Sequence, residues 1–177
     1  SCITNTFTIG GTVSGHNGTG LTLRVNGTTN LAIAANGPFA FGPIADGLGY
    51  SVVVFVQPIG QSCTVANGSG TLAGAHVTNV AVICGNTYTL GGSVSGLTGT
   101  GLVLRNNGGD SLAISANGAF TFSTVIADGG AYSVTVFTQP NLQSCAVGNG
   151  SGNVAGANVT NVSVTCVLAP PAAPTLS

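Results

Sequence analysis

The chain has 177 residues, of which 44% are hydrophobic and only 3% are charged, and its formal net charge is −1. This composition leaves no basic patch for nucleic acid or anionic lipid, so we expect neither as a partner. No apolar run approaches the ~18 residues of a membrane-spanning helix, and the apolar, β-branched composition is not that of a disordered chain.

Short segments of alternating apolar and polar residues, separated by glycine and Asn-Gly turns, predict β-strands throughout the first half of the chain. In chain order the predicted strands cover residues 6–13, 21–25, 31–33, 39–41, 50–56, 63–65 and 80–84. The Gly10-Gly11 pair predicts a kink or bulge in the first strand. The Asn36-Gly37 turn predicts that residues 31–41 form a hairpin, and the glycine-rich run 67–70 predicts a break after the sixth strand.

The second half of the chain repeats this pattern, most clearly where residues 50–84 return as residues 132–166. Such a repeat predicts a tandem array of similar domains. The predicted parts of the chain are the end of a preceding repeat or a linker (1–5), a first domain (6–84), a second domain (85–166) and a proline-rich linker toward a further domain (167–177). Only Gly85 and Asn86 separate the domains, which predicts a restricted orientation between them.

No segment shows the 3.6-residue apolar period of a helix, so we expect an all-β chain. About seven short strands per repeat, with turn signals between them, predict a β-sandwich for each domain. Domains of this size bury a small core, which makes a covalent crosslink useful.

The cysteines recur at fixed positions in the repeats and indicate disulfides formed in an oxidising compartment. If the sixth and last strands of each repeat pair antiparallel, Cys63 faces Cys84, and Cys145 faces Cys166, on the core side of the sheet. Cys2 is then unpaired or linked to another repeat. The alternative pairing joins Cys2 to Cys63 and Cys84 to Cys145, and it leaves Cys166 free. No C-x-x-C spacing indicates a metal site.

The few titratable residues do not form a catalytic or metal-binding pattern, so we predict no catalytic residues, no metal and no cofactor. His16 and His76 are replaced by other residues in the second repeat, which favours surface loop positions for both. Asp46 and Asp128 recur in Ala-Asp-Gly triplets, and we interpret them as turn residues that bond their own backbone.

The two arginines, Arg24 and Arg105, recur on the outward face of the second predicted strand. We expect each to form a weak surface pair with a nearby aspartate rather than to bind a ligand.

The repeated motifs resemble a known family of surface domains. Gly-Thr-Val-Ser-Gly at 11–15, Leu-x-Leu at 21–23, Ala-Asn-Gly-x-Phe-x-Phe at 35–41 and Tyr-Ser-Val-x-Val at 50–54 return between residues 92 and 136. This order resembles the transthyretin-like, B-type repeats of Gram-positive collagen adhesins, and it is similar to carboxypeptidase regulatory-like domains. The fuller pattern looks like repeats strung along large secreted bacterial surface proteins. The resemblance implies tandem Ig-like or transthyretin-like Greek-key sandwiches.

Many B-type adhesin domains are locked by an isopeptide bond from a lysine, and this chain has no lysine. The resemblance therefore implies that the disulfide takes the place of that crosslink, and that the protein is extracellular or on the cell surface.

Self-association is the remaining functional signal. Val53, Phe55 and Phe137 lie on the strand parity that faces away from the core, where an aromatic is either covered by a loop or adjacent domain or buried against another chain. A surface with almost no charge lacks the usual protection against association. We therefore expect a non-enzymatic stalk or filament component whose partners are copies of itself.

Two other functions remain open on the sequence alone. The chain could be an adhesin segment whose loops, at residues 15–20 and 96–101, bind a glycan or a host surface protein. It could also be an accessory domain of a larger enzyme.

Overall fold

The computed structural model describes residues 5–170. Cys2, and with it the question of its partner, lies outside these residues. Within them every regular element is a strand, and no helix has the length and apolarity needed to span a bilayer. The chain divides into two compact units, the first ending at Asn86 and the second beginning at Thr87.

The first unit is a sandwich of two sheets. Its strands are β1 (Thr6–Ser14), β2 (Thr22–Val25), β3 (Thr29–Ala32), β4 (Gly37–Ala45), β5 (Gly49–Val56), β6 (Gln61–Ala66), β7 (Ser69–Thr71) and β8 (Val77–Tyr88). One sheet has the order β4-β1-β8-β6 and the other β3-β2-β5-β7. Strands β1 and β8 are parallel neighbours, whereas the remaining strand pairs of the unit are antiparallel.

The second unit repeats this architecture. Its strands are β9 (Leu90–Ser95), β10 (Leu102–Asn106), β11 (Asp110–Ile114), β12 (Gly118–Thr121), β13 (Ile126–Ala127), β14 (Ala131–Thr138), β15 (Gln143–Gly148), β16 (Ser151–Asn153) and β17 (Val159–Leu168). The sheet orders are β12-β9-β17-β15 and β11-β10-β14-β16. Each unit has its own buried core, to which both of its sheets contribute. The predicted all-β, tandem sandwich fold is confirmed.

One disulfide joins the last strand of each unit to its antiparallel neighbour. Cys63 of β6 lies directly opposite Cys84 of β8, and their Cα atoms are 3.9 Å apart. Cys145 of β15 and Cys166 of β17 form the same pair, at 4.0 Å. All four side chains are buried. This pairing excludes the alternative in which Cys84 bonds Cys145, because each sulfur is bonded within its own unit.

The Asn26-Gly27 turn connects β2 and β3 in a tight hairpin. Asn26 and Gly27 have φ angles of 51° and 69°, the left-handed values that a type I′ turn requires at both central positions. Asn107 and Gly108 repeat the turn with φ angles of 49° and 70°. Asparagine and glycine are the residues that adopt this conformation at least cost, which explains the motif.

The hairpin predicted for residues 31–41 is wrong. Strand β3 pairs with β2 in one sheet, and β4 pairs with β1 in the other, so the Asn36-Gly37 turn carries the chain between sheets. Gly37 has a φ of 131°, which only glycine adopts readily. The sequence indicated the turn correctly, but a turn signal does not specify which strand becomes the neighbour.

Two strand boundaries also differ from expectation. The glycine-rich run after β6 overlaps β7, whose three residues pair with β5 so that Gly70 lies opposite Tyr50. Strand β8 does not end at Cys84 but continues to Tyr88; its last two residues, Thr87 and Tyr88, already belong to the second unit and pair with β13 within it. Both segments are rich in small polar residues, and backbone pairing there depends on the partner strand rather than on local apolar alternation.

The parallel pairing of β1 and β8 depends on Gly11. The register shifts between Ile9 and Gly11, and Gly11 lies opposite Val80. A Cβ atom on Gly11 would overlap the carbonyl group of Val80. The irregularity predicted from the Gly10-Gly11 pair is therefore present, and its cause is close approach of the two backbones.

Candidate self-association surface

The outer face of sheet β3-β2-β5-β7 carries the residues that the sequence assigned to self-association. Val53 and Phe55 alternate with the core-facing side chains of β5, and their exposed fractions are 45% and 47%. Phe137 occupies the corresponding position on β14 and is 54% exposed. Neither aromatic ring is buried under a loop. Each unit therefore presents one half-exposed phenylalanine on an otherwise small-residue face.

The guanidinium carbon of an arginine lies over each of these rings. Cζ of Arg24 is 3.2 Å from the centroid of the Phe55 ring, and Cζ of Arg105 is 3.2 Å from that of Phe137. Arg24 is on β2, which pairs with β5 so that Arg24 and Val53 are directly opposite. A guanidinium group over an aromatic face is attracted by the negative potential of the ring.

A hydrogen bond from the adjacent edge strand fixes each guanidinium group. Nε of Arg24 donates to Oδ1 of Asn30 at 2.7 Å, and Nε of Arg105 donates to Oγ of Ser111 at 3.1 Å. We call the two sets of residues the Arg24 patch and the Arg105 patch. Their members are Arg24, Asn30, Val53 and Phe55 in the first unit and Arg105, Ser111, Thr135 and Phe137 in the second.

The expected ion pair between each arginine and a nearby aspartate is wrong. Among residues 5–170 neither Arg24 nor Arg105 pairs with a carboxylate, and Nη1 and Nη2 of both have no hydrogen-bond partner. The sequence placed both arginines and both phenylalanines on the outward parity. It did not predict their stacking, because that contact requires the β2–β5 and β10–β14 register.

The aspartates that recur in the repeat act as turn residues, as predicted. Oδ1 of Asp46 accepts hydrogen bonds from the backbone N–H of Gly47 at 3.0 Å and of Gly74 at 2.8 Å. Asp128 makes the same bonds, to Gly129 at 3.1 Å and Gly156 at 2.8 Å. Each carboxylate thus ties two loops together through one oxygen. Oδ2 of either residue has no partner within the described part of the chain.

The free edge of β6 is capped by a side chain. The amide of Gln57 accepts from the N–H of Cys63 at 2.7 Å and donates to its C=O at 3.0 Å. Gln139 forms the same pair of bonds with Cys145 on β15. A primary amide used in this way occupies the positions that the backbone of an added strand would use. Edge-to-edge pairing is therefore blocked at this point of each unit.

The loops predicted as possible ligand sites are held by buried amides. Gln61, which is 6% exposed, accepts from the N–H groups of Asn17 and Gly18 and donates to the C=O of Gly15. Gln143 holds residues 96–99 through equivalent bonds. Neither loop, 15–20 or 96–101, contains phenylalanine, tyrosine or tryptophan, and these hydrogen bonds anchor both loops to the sandwich.

The surface position expected for His16 is wrong. Its side chain is 6% exposed, and neither ring nitrogen has a hydrogen-bond partner. Leu97 occupies the same place in the second unit, also at 6%. The loop position suggested exposure, but Asn36 bonds the N–H and C=O of His16 and turns its side chain inward.

His76 has a structural role at an exposed site. Its Nδ1 accepts from the N–H of Thr8 at 2.9 Å, and its ring packs edge-on against Phe7. In the second unit Oδ1 of Asn158 accepts from the N–H of Thr89 at 3.0 Å. The two residues are therefore equivalent acceptors, for the N–H of Thr8 in β1 and for that of Thr89 directly before β9.

Residues 5–170 contain no group of three or more His, Cys, Asp or Glu side chains placed to hold a metal ion. The described aspartates and histidines occupy the separate positions given above. The notable features of the surface are instead its low charge and the two arginine patches.

No protein-family model matches the chain, and no curated protein sequence matches it. Among solved structures, it is similar to the Bacillus anthracis TIE protein, with 13% identity over 92% of this chain and 34% of that one, and a TM-score of 0.34. This chain thus spans about a third of that structure.

The chain is also similar to the shaft pilin SpaA from Lactobacillus rhamnosus GG, with 12% identity over 94% of this chain and 100% of that one, at a TM-score of 0.31. A third similar structure contains Streptococcal High Identity Repeats in Tandem (SHIRT) domains 3-4 from a cell surface protein, with 14% identity, 92% and 99% coverage and a TM-score of 0.24. At such TM-scores a function has to be inferred from the residues of the chain itself.

Proposed function

We propose that the chain is a non-enzymatic structural module of a secreted bacterial surface protein, and that it associates with copies of itself into a stalk or filament. The observation that carries the proposal is the outer face of sheet β3-β2-β5-β7. It combines a half-exposed phenylalanine with small neutral side chains and a single charge, that of Arg24.

The opposite face of the first unit is also suited to close packing. The outward side chains of sheet β4-β1-β8-β6 include Thr12, Ala40, Thr64 and Ile83, and the last of these is 56% exposed. The charged residues of this unit, Arg24 and Asp46, lie elsewhere. Most soluble domains rely on surface charge to stay apart, and neither sheet face of this unit carries enough charge for that purpose.

The disulfides support an extracellular location, because they form and persist in oxidising compartments. They also supply the stability that a small domain needs outside the cell. A structural role requires each unit to keep its shape under such conditions, and the crosslink between β6 and β8 serves that requirement.

The experiment is light scattering and negative-stain microscopy of the purified chain over a range of concentration, pH and salt. We expect oligomers or filaments that grow with protein concentration. The double variant Phe55→Ser/Phe137→Ser should associate only at concentrations at least about tenfold higher, since each exposed aromatic at an interface contributes on the order of 1 kcal/mol.

The matched control is Ile59→Ser/Leu142→Ser. These two apolar side chains are 79% exposed but lie outside the strands, so their removal should leave association unchanged. Monodisperse monomers of the unmodified chain under every condition would contradict the proposal. In that case glycan-array binding that is lost when Asn17 and Thr98 are changed would favour the adhesin function instead.

A further inference from the structure

We infer that the two arginine patches bind aspartate carboxylates of a second copy of the chain, and that this charge pair stabilises the association of copies. The inference rests on the proposed self-association and adds its contact residues. Charged residues are few: the chain has two arginines and three aspartates, and no lysine or glutamate. Both arginines and two of the aspartates recur at the same places in the repeat.

The arginine side of the pair is held ready for a ligand. Arg24 lies over the Phe55 ring, and Asn30 accepts from its Nε, so two contacts within the unit order the guanidinium group. Nη1 and Nη2 have no partner among residues 5–170 and together form a two-pronged donor. A carboxylate accepts two parallel hydrogen bonds from such a fork. Because the side chain is already ordered, little conformational entropy is lost on binding.

The second unit has the same arginine–phenylalanine arrangement, with a different hydrogen-bond acceptor. Arg105 is stacked on Phe137, but its Nε donates to Ser111, where the first unit has Asn30. The neighbour on β5 also changes, from Val53 to Thr135 on β14. The orientation of the guanidinium group is thus retained while the residues around it vary.

The aspartate side is equally available. Oδ1 of Asp46 accepts from Gly47 and Gly74, which fixes the carboxylate on the exposed loop between β4 and β5. Its Oδ2 is without a partner in the described chain, and the same holds for Asp128. Each unit therefore presents one ordered arginine and one ordered aspartate at repeated positions, and these two do not pair with each other.

The positions of the two groups allow more than one kind of assembly. Arg24 lies on the face of a sheet, whereas Asp46 lies on a loop between strands. Two copies can make the contact between Arg24 and Asp46 reciprocally, in a two-fold dimer, or in one direction only, in a ring or an open filament. Negative-stain microscopy of the associated chain distinguishes these assemblies.

The test compares four forms of the full chain by analytical ultracentrifugation. The Arg24→Gln/Arg105→Gln variant removes both forks. The Asp46→Asn/Asp128→Asn variant removes both charges but keeps Oδ1 as the acceptor for the turn. Each should raise the concentration of half-maximal association about tenfold, as expected for loss of a desolvated charge pair. The variant that combines all four changes should associate at the same concentration as either double variant. Once one member of a pair is removed, removal of the other member costs no further association free energy.

Asp110→Asn is the matched control. Asp110 has no counterpart in the first unit, and its Oδ2 accepts from the N–H of Thr124. Its replacement by asparagine removes one negative charge, as does each of the changes at Asp46 and Asp128. We expect association to be unaffected. Thermal denaturation of every variant should remain close to that of the unmodified chain, which separates lost contacts from lost folding.

The outcomes separate the two proposals. Association that persists unchanged in the arginine and aspartate variants overturns the inferred pair and leaves self-association intact. Additive losses in the combined variant overturn the pair as well. A chain that never associates overturns both proposals. Binding of polygalacturonate that requires the arginines but not the aspartates would assign the forks to an acidic polysaccharide and overturn the contact between copies.

Discussion

Gln57 and Cys63 are paired as two strands of a sheet would be, although only one of them contributes its backbone. The side-chain amide of Gln57 accepts from the N–H of Cys63 at 2.7 Å and donates to the C=O of Cys63 at 3.0 Å. Since these groups point away from β8, the Cys63–Cys84 pair is of the non-hydrogen-bonded kind. Opposite Cα atoms are closest in pairs of this kind. Cys63 is thus bonded through its backbone to the Gln57 amide, on the side away from β8, and through its sulfur to Cys84 of β8.

Replacement of Gln57 by glutamate should weaken the edge of β6. A carboxylate still accepts from the N–H of Cys63 but cannot donate to its C=O, so one bond is lost and a carbonyl faces an anionic oxygen. We expect a loss of about 1–2 kcal/mol in the free energy of unfolding, measured by chemical denaturation. Faster amide exchange should be confined to β6. Gln139→Glu should produce the same effect on β15, and unchanged exchange in both variants would contradict a role for the cap.

Removal of one disulfide should destabilise its own unit. For Cys63→Ala/Cys84→Ala we expect a loss of about 3 kcal/mol, because the crosslink closes a loop of some twenty residues in the unfolded chain. Cys145→Ala/Cys166→Ala should act likewise on the second unit. Differential scanning calorimetry measures the change, and hydrogen exchange assigns it to a unit. A shift below about 1 kcal/mol in both variants would mean that the cores suffice without the crosslinks.

His16→Leu should stabilise the first unit. The imidazole is buried with both nitrogens unpaired, and Leu97 shows that leucine fits this position in the same fold. We expect a gain of about 1–2 kcal/mol from removal of the unsatisfied polar group. The reverse change, Leu97→His, should destabilise the second unit by a similar amount. Thermal denaturation tests both, and a loss of stability on His16→Leu would indicate that the ring makes a contact that leucine cannot replace.

Gly11→Ala should disrupt the parallel pairing of β1 and β8. Its Cβ atom would overlap the Val80 carbonyl, and overpacking of this kind costs about 1–3 kcal/mol. Gly92→Ala should do the same in the second unit, where Val162 is the obstacle. Gly42→Ala is the control, because the methyl group that it adds would have no atom within 4 Å. Equal denaturation midpoints for Gly11→Ala and Gly42→Ala would contradict the prediction.

The features that the sequence predicted well are those set by local pattern and by repetition. The period-2 alternation placed Val52 inward and Phe55 outward, and the shared parity of the cysteines specified the register that pairs Cys63 with Cys84. The recurrence of Asp46 in an Ala-Asp-Gly triplet indicated its turn. In each case the physical cause lies within a few residues or in a comparison between the two copies.

The features that the sequence did not predict depend on which strands become neighbours. The Asn36-Gly37 turn predicts that β4 pairs with β3, but a turn signal does not specify whether the chain stays in the same sheet, and β4 pairs with β1. The stacking of Arg24 on Phe55 needs the β2–β5 pairing, and the burial of His16 needs the side chain of Asn36, twenty positions away. Such long-range pairings carry no local signal. The leucine at position 97 was the one available hint that position 16 is buried.

The parallel arrangement of β1 and β8 has a mechanical consequence. The chain enters the first unit through β1 and leaves it through β8, and these strands lie side by side in the same direction. Tension applied along the protein therefore pulls the two strands past each other, so that the bonds between them resist together instead of opening one after another. The Cys63–Cys84 bond adds a limit to the extension, because the residues between the two sulfurs cannot be drawn out even after the unit yields.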